Sequence, residues 1–320
     1  MKRARSWKPS DEQMRLWPGV SGNTINGLGE TTPRPPSPIY WHPPERTPHG
    51  PLQRWFYTQS TSPLVDEARK ERQKAIDAPL SAVAATPRDA SAEAWTAEVK
   101  RVALESGADV VGIAGFRPEW VFAGSPVPPE KWIIVLGVGM SYEAMRTAPD
   151  ALAAAEVSRQ YGRGTRAAKG VANFLREAGH PAEPHGGPMA GAFVLIPAAI
   201  AAGLGELGKH GSLIHRDLGA SFRLACVLTD VPLIADAPDV FGGDDFCQRC
   251  SLCVDECPPD AIFQVKQDVR GERRWYVDFD KCLPFFNEHM GCAICVAVCP
   301  WSRPGVAPRL AQKMAARKAR

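Results

Sequence analysis

The pattern of apolar and polar positions becomes regular near residue 91, after a first part without clear periodicity. Trp95 and Val99 recur at the spacing of one helix face, which predicts a helix in this region. Apolar runs at 109–114 and 132–140 predict buried strands, and the alanine-rich stretch 151–178 predicts a long helix. This part of the chain therefore has the pattern of a folded core.

Glycine marks the second half of this core. An apolar run at 192–202 leads into the turn Gly-Leu-Gly-Glu-Leu-Gly-Lys-His-Gly at 203–211, and a strand-like run follows at 222–228. The turn lacks the Gly-Lys-Ser/Thr of phosphate-binding loops. Cys226, within the strand-like run, is predicted to be a buried thiol. Strands that alternate with helices indicate an α/β or α+β core of roughly 150 residues.

The N-terminal stretch 1–80 is polar and rich in proline and glycine. Eight prolines fall between Pro33 and Pro51, which we expect to exclude a regular helix or a central strand there. A disordered tail and a segment wrapped along the folded body are both open interpretations. Large apolar side chains favour the wrapped segment; they are Tyr40, Trp41, Trp55, Phe56 and Tyr57.

These patterns divide the chain into four predicted segments. They are a Pro-rich N-terminal extension (1–90), a folded core (91–240), a cysteine-rich module (241–304) and a basic C-terminal tail (305–320). The tail is predicted to be a short helix, and it is either a solvated end or a site that attracts an acidic electron donor.

Charge and hydropathy narrow the functional classes. The 38 basic and 35 acidic residues nearly cancel, so nothing favours nucleic acid as a partner. No apolar run approaches the ~18 residues of a membrane span. The N-terminus has neither the apolar segment of a secretory signal nor a twin-arginine pattern, so we expect a cytoplasmic protein with no membrane partner.

Eight of the nine cysteines lie between Cys247 and Cys299, in ferredoxin spacing. The first motif is C-x2-C-x2-C-x3-C-P from Cys247 to Pro258, in which three thiolates bind one cluster and the fourth binds its neighbour. The second is C-x9-C-x2-C-x3-C-P from Cys282 to Pro300. The motifs therefore predict two [4Fe–4S] clusters.

Each motif is predicted to give its fourth cysteine to the cluster of the other motif, and this exchange assigns the ligands. One cluster takes Cys247, Cys250, Cys253 and Cys299, and the other takes Cys257, Cys282, Cys292 and Cys295. Structural zinc is the alternative, but it prefers two separated C-x2-C pairs. The clusters account for about 65 residues, so the larger core must accept their electrons.

The segments before the cysteines resemble those of the reductive dehalogenases. The matching stretches are 108–114 with Trp120, 140–145, 202–211, 228–233 and the cysteine module with 282–288. The resemblance spans roughly 95–303 and does not extend to the stretch 1–80. It implies an α+β fold, in which a nitroreductase-like core binds base-off cobalamin beside a ferredoxin-like module with two [4Fe–4S] clusters.

The resemblance also implies site residues. Tyr161 matches the family's proton donor, and Arg223 is the candidate basic partner, since a phenol with a pKa of ~10 is a poor acid at neutral pH. Ser221 stands where the family has another arginine, and Gly187 stands where many members have asparagine. The implied cofactor-binding residues are Gly187, Gly203, Gly205, Lys209, His210 and Gly211.

Histidine is not implied as a cobalt ligand, because the family does not fill that position with a protein side chain. His185, His210 and His215 are therefore predicted to be polar loop residues. The glycines at 186–191 and 203–211 are expected to let the backbone approach the corrin ring.

The function implied is a cobalamin-dependent reductase that cleaves a carbon–halogen or other carbon–heteroatom bond of a small organohalide. An external low-potential donor of the ferredoxin or flavodoxin type would supply electrons through the two clusters. One alternative is an epoxyqueuosine reductase-like deoxygenase, although the stretch 300–320 after Cys299 is short for the tRNA-binding repeats of that family. A second alternative is a non-catalytic corrinoid or electron-transfer protein.

Overall fold

A four-stranded antiparallel sheet lies at the centre of the core. We analysed a computed structural model, which describes residues 7–59, 62–188 and 191–318. The strands are β1 (Val110–Gly115), β2 (Trp132–Gly139), β3 (Ala182–His185), β4 (Glu206–Leu207), β5 (Leu213–Ile214), β6 (Phe222–Thr229), β7 (Gln267–Val269) and β8 (Glu272–Arg274). The main sheet has the order β1–β2–β6–β3, while β4–β5 and β7–β8 form separate hairpins. The α+β class is thereby confirmed.

Helices cover the sheet and extend along the cysteine module. They are α1 (Asp11–Arg15), α2 (Gly22–Asn26), α3 (Gly50–Thr58), α4 (Pro63–Asp77), α5 (Ala92–Glu105), α6 (Tyr142–Met145), α7 (Ala151–Glu177), α8 (Leu195–Ala201), α9 (Gly243–Arg249), α10 (Leu252–Asp255), α11 (Phe279–Glu288), α12 (Ile294–Ala297) and α13 (Val306–Lys318). Within the described part of the chain, none of them combines the length and the apolar character needed to cross a bilayer.

The two faces of the sheet carry separate apolar clusters. On one face α5 and α7 pack against β2 and β6, and small residues allow this close approach: a Cβ on Gly164 would lie 3.3 Å from that of Ala225. The other face packs against α8 and contains Cys226, which is fully buried as predicted. The predicted strands and the long helix agree with the structure to within about two residues, the usual uncertainty of element ends.

The N-terminal extension wraps around the cysteine module. The Gln13 amide donates to the carbonyl of Pro284 over 3.1 Å and accepts from Asn287 over 2.9 Å. Tyr40 Oη donates to Asn287 Oδ1 over 2.6 Å, so one buried network joins the extension to α11. Burial of these polar groups is compensated because each has a partner.

The expectation that proline excludes regular helices from the stretch 1–80 is wrong, since α1 and α2 precede the proline-rich part of this stretch and α3 and α4 follow it. Helices α3 and α4 each carry a proline in the first turn, at Pro51 and Pro63. Proline is tolerated at that position because the missing N–H would have no intrahelical acceptor. The proline-rich stretch 33–49 itself contains only a short 3₁₀ turn at Pro44–Arg46.

The C-terminal tail is not a solvated end, which corrects the simpler of the two predictions for it. Helix α13 buries Ala307, Ala311 and Met314. The two alanines join an apolar cluster with Phe241 and Trp301 beside the first cysteine motif. Alanine at these positions lets the helix approach closely at little cost in side-chain entropy. A role in binding an electron donor stays a prediction.

Candidate functional site

The cysteine module brings its eight thiols into two groups. Cys299 interacts electrostatically with Cys247, Cys250 and Cys253, although it belongs to the second motif. Cys295 interacts with Cys282, Cys292 and Cys257, so the fourth cysteine of the first motif crosses to the other group. Cys295 also interacts electrostatically with Cys253 of the first group, because the two groups of cysteines are adjacent. The arrangement has the exchange expected of two adjacent four-iron clusters.

The surroundings of the thiols disfavour free thiolates, which the positive charge of a bound cluster would stabilise. Burial raises the pKa of Cys247 to about 11 and that of Cys253 to about 12, so the free thiols would stay protonated. Thiolates are the ligating form, and iron supplies the compensating positive charge. No three His, Cys, Asp or Glu side chains among the described residues meet closely enough to hold a single metal ion.

Lys209 is buried beside the first group of cysteines. Its Nζ donates to the carbonyl of Cys250 over 2.9 Å and lies 4.9 Å from the centre of the Trp275 ring. Its backbone N–H points at Cys247 Sγ over 3.5 Å. The predicted cofactor-binding lysine thus contacts the ligand loop of the first cluster.

The three predicted polar loop histidines differ from that expectation in two ways: His185 lies in a strand, and the loop residues His210 and His215 are buried. The strand is β3, and the two loop histidines each expose only 6% of their surface. Nδ1 of His210 accepts from the N–H of Ser212 over 3.1 Å, which leaves a proton on Nε2 of the neutral ring. Burial lowers the pKa of His210 to about 4. Its Nε2 is buried without a partner in the described chain, as is that of His185.

Tyr161 and Arg223 meet across the junction of α7 and β6. The Arg223 guanidinium carbon lies 5.2 Å from the centre of the Tyr161 ring. Both residues line a cavity of about 190 Å³ and a second one of about 330 Å³. Arg223 also lines a third cavity of about 510 Å³, which reaches all four cysteines of the second group. The predicted pair therefore stands between the cysteine module and the core.

The predicted glycines divide into two groups. Gly187 lines the 330 Å³ cavity with φ +84°, and a Cβ there would meet nothing within 4 Å. Gly211 lines the 510 Å³ cavity, as does His210. Gly203 and Gly205 have positive φ, but they face the backbone of Ala237 and of β5. These two glycines therefore permit close packing of the turn, and neither lines any of the three cavities described above.

Glu206, in the same turn, is a residue that the sequence analysis missed. Its carboxylate accepts backbone N–H groups of Phe241, Gly242 and Gly243 over 2.8–3.0 Å. These groups begin α9, the helix that carries Cys247, and that helix has no side-chain cap of its own. A carboxylate at a helix start satisfies free N–H groups and complements the helix dipole. No local pattern reveals this contact, because 35 residues separate Glu206 from Phe241.

The N-terminal extension supplies another part of the site that the sequence did not reveal. Trp41, Phe56 and Tyr57 line the 190 Å³ cavity together with Arg69 and Arg72 of α4. On the other side, Phe286 and Cys292 connect the cavity to the second group of cysteines. The wrapped extension therefore forms a wall of the candidate site.

Comparison with known proteins agrees with this geometry. Residues 246–302 match the 4Fe–4S dicluster domain, which confirms the cluster module. A tetrachloroethene reductive dehalogenase of Desulfitobacterium hafniense is 35% identical over 210 residues, covering 62% of this chain and 37% of the relative. The chain is therefore similar in sequence to this reductive dehalogenase over part of its length. An epoxyqueuosine reductase of Cyclobacterium marinum is 35% identical over only 122 residues, with 33% of this chain and 36% of that protein covered.

The fold extends the likeness to reductive dehalogenases beyond the cysteines. A solved variant of the catabolic reductive dehalogenase NpRdhA superposes with a TM-score of 0.72 at 25% identity, over 97% of this chain and 44% of that chain. The structural match therefore reaches into the N-terminal extension, which the sequence resemblance excluded. The chain spans less than half the length of these two reductive dehalogenases.

Proposed function

We propose that the chain is a cobalamin-dependent reductive dehalogenase-like oxidoreductase, which cleaves a carbon–halogen bond of a small organohalide with electrons relayed through two [4Fe–4S] clusters. An external low-potential electron donor of the ferredoxin or flavodoxin type and a cytoplasmic location belong to the same proposal. The observation that carries it is the position of Arg223. This residue lines the cavity that reaches the second group of cysteines and both cavities that contain Tyr161.

The residues around the 510 Å³ cavity fit cobalamin. The cavity is mostly apolar, as cofactor sites are, and Ile196, Leu207 and Val296 contribute to its lining. His210 provides a buried N–H donor with no partner among the described residues, and such a donor can bind a carbonyl of an amide-bearing cofactor. Gly211 leaves room for close approach. When bound, cobalamin supplies the low-potential cobalt that breaks the carbon–halogen bond.

The chain's own residues would donate the proton, stabilise the group that donates it and exclude water from the cavity. Tyr161 Oη is the proposed donor of the proton that replaces the halide. Arg223, over the ring of Tyr161, stabilises the phenolate that remains. Trp41 and Phe286 enclose the cavity with apolar surface, which keeps water from competing for the same proton transfer.

The test is anaerobic reconstitution of the full chain with iron, sulfide and cobalamin. We expect about eight irons and one cobalt per chain, as two four-iron clusters and one corrinoid require. Halide release driven by reduced methyl viologen should fall about 100-fold or more in Tyr161→Phe, because a general acid contributes at least that factor. The variant should keep its iron and cobalt.

Two results would refute the proposal. Zinc in place of iron would show that the cysteines do not bind iron–sulfur clusters. Unchanged halide release in Tyr161→Phe would show that Tyr161 is not the proton donor. Corrinoid binding without turnover of any tested bond would favour the non-catalytic alternative. The cavity contacts of Tyr161 and Arg223 favour an enzyme over a carrier.

A further inference from the structure

A buried cation lies beside the first group of cysteines. Lys209 exposes only 2% of its surface, and its Nζ donates to two neutral oxygens, the Cys250 carbonyl over 2.9 Å and Gln264 Oε1 over 3.3 Å. None of the ion pairs among the described residues includes Lys209. A buried charge is costly unless it is paired, so the surroundings of Lys209 indicate an anion close by.

The first cluster itself is such an anion. Its iron–sulfur core is positively charged, but the thiolates of Cys247, Cys250, Cys253 and Cys299 outweigh this charge. Burial and then the neighbouring thiols raise the pKa of Cys253, whereas Lys209 lowers it. Lys209 is therefore close enough to stabilise negative charge on the sulfur atoms of this group.

Trp301 provides a hydrogen-bond donor at the same place. It lines a small cavity with all four cysteines of the first group, and it exposes only 1% of its surface. Its backbone N–H donates to Cys299 Sγ, yet its indole Nε1 is buried without a partner among the described residues. The Phe246 ring packs edge-to-face at 5.4 Å, but a ring is a weak acceptor. A negatively charged sulfur atom of the cluster is the stronger acceptor for this N–H.

The second group of cysteines has different surroundings. Burial, the neighbouring thiols and then Asp278 raise the pKa of Cys282 to about 12. No described cation lowers the pKa of Cys282, Cys292 or Cys295. Arginines line the 510 Å³ cavity that reaches these cysteines, but none of them acts on these three thiols. The electrostatic environment therefore favours added negative charge on the first cluster.

Carboxylates near the first group do not cancel this difference. Asp244 acts on one thiol of the group, but it is paired with Lys266 over 2.8 Å. Asp255 and Glu256 are exposed, so water and salt screen their charge. A buried charge is screened much less, and Lys209 therefore outweighs these carboxylates.

We propose that Lys209 and the indole N–H of Trp301 stabilise the reduced first cluster, and thereby place its reduction potential above that of the second cluster. Reduction adds one electron and breaks no bond, so the cluster with its thiolates gains one negative charge. A nearby cation and a donor to sulfur both favour the more negative state. The first electron delivered to the protein therefore resides beside Lys209. The inference rests on the two clusters and not on the cleavage of a carbon–halogen bond.

The experiment is an anaerobic redox titration of the full chain, loaded with iron, sulfide and cobalamin, with dithionite as the reductant. EPR follows the two clusters, and Cys299→Ser and Cys257→Ser assign their signals. Lys209→Met removes the cation, whereas Lys209→Arg keeps it. Trp301→Phe removes the indole N–H and keeps an aromatic ring. The iron content of every variant is measured.

Two control variants separate these effects from a general perturbation. Trp275→Phe removes an indole N–H from the same apolar cluster, but this N–H already donates to Asp244 over 2.7 Å. Lys281→Met removes a lysine that is exposed next to Cys282. Each control should leave the ratio of reduced to oxidised cluster within about twofold of wild type at a fixed potential, because exposed charges are screened.

We expect the first cluster of wild type to be reduced at the higher potential. At a fixed potential, Lys209→Met should lower its ratio of reduced to oxidised form about tenfold, which is about 59 mV for one electron. Trp301→Phe should lower the ratio about threefold, and Lys209→Arg should stay closer to wild type than Lys209→Met. The second cluster should shift by less than about twofold in all of these variants.

Reduction of the second cluster before the first in wild type would overturn the inference, as would an unchanged first potential in Lys209→Met. An unchanged potential in Trp301→Phe would refute the role of Trp301 and assign its N–H to the Phe246 ring. If Lys209→Met loses the iron of the first cluster, the shifts in Trp301→Phe and Lys209→Arg decide. Protein with two clusters but no halide release would refute the proposed function, whereas the potentials would still test this inference.

Discussion

Removal of the Glu206 carboxylate should destabilise the helix that carries Cys247. In Glu206→Ala, the N–H groups of Phe241, Gly242 and Gly243 lose a shared acceptor at 2.8–3.0 Å. All three residues are buried, so water cannot readily replace the carboxylate. Glu206→Gln keeps one acceptor oxygen but loses the charge, and it separates the two contributions.

The magnitude follows from the contacts. A hydrogen bond to a charged group contributes about 1.5–3 kcal/mol, and a buried donor left unsatisfied costs about 1–3 kcal/mol. The three bonds share one carboxylate oxygen and are not additive, so we expect a loss of about 3–4 kcal/mol in the free energy of unfolding for Glu206→Ala. Glu206→Gln should lower the free energy of unfolding by about half of that amount.

The assay is anaerobic urea unfolding of cluster-loaded protein, followed by tryptophan fluorescence and by iron content. The first cluster should be lost at a lower urea concentration than the second, because α9 carries a ligand of the first only. Glu272→Ala, at an exposed position of β8, is the control. A shift below about 0.5 kcal/mol in Glu206→Ala, the range of ordinary surface substitutions, would refute the reasoning.

The other predictions concern the clusters, one buried histidine and two glycines. Cys299→Ser should perturb the EPR signal of the first cluster in the reduced protein, and Cys257→Ser should perturb that of the second. The exchange of ligands would be contradicted if Cys299→Ser perturbed the second cluster and Cys257→Ser the first. Burial lowers the pKa of His49, and both ring nitrogens lack partners in the described chain, so the native state takes up this proton less readily than the unfolded chain. Stability should therefore fall as pH drops below about 6.5, and His49→Phe should flatten this dependence in thermal melts over pH 5–8, whereas an unchanged slope would show that other groups cause it. Gly187→Ala should lower the free energy of unfolding by about 1 kcal/mol, because its positive φ is the only obstacle to a side chain. Gly203→Ala should lower it further, because a Cβ there would also lie 2.6 Å from the Ala237 carbonyl oxygen. Equal losses for the two variants in urea unfolding would contradict this reasoning.

The sequence by itself determined the features that depend on local spacing. The two clusters and their predicted ligands follow from the cysteine motifs, because one short loop can wrap a cluster only with such spacing. The strands and the long helix follow from apolar periodicity, which burial against neighbours imposes. The proton donor candidate Tyr161 and its partner Arg223 came from a family resemblance, and their role stays a prediction.

Only the tertiary structure decided which distant residues share an environment. The Glu206 carboxylate binds the start of α9, 35 residues further along the chain. Arg72 and Arg223 line the same cavity, although about 150 residues separate them. The glycine-rich turn looked like one cofactor-binding segment, yet Gly203 faces backbone while Gly211 faces a cavity. Such contacts depend on how whole elements pack, and apolar burial fixes that packing without leaving a pattern around the polar residues themselves.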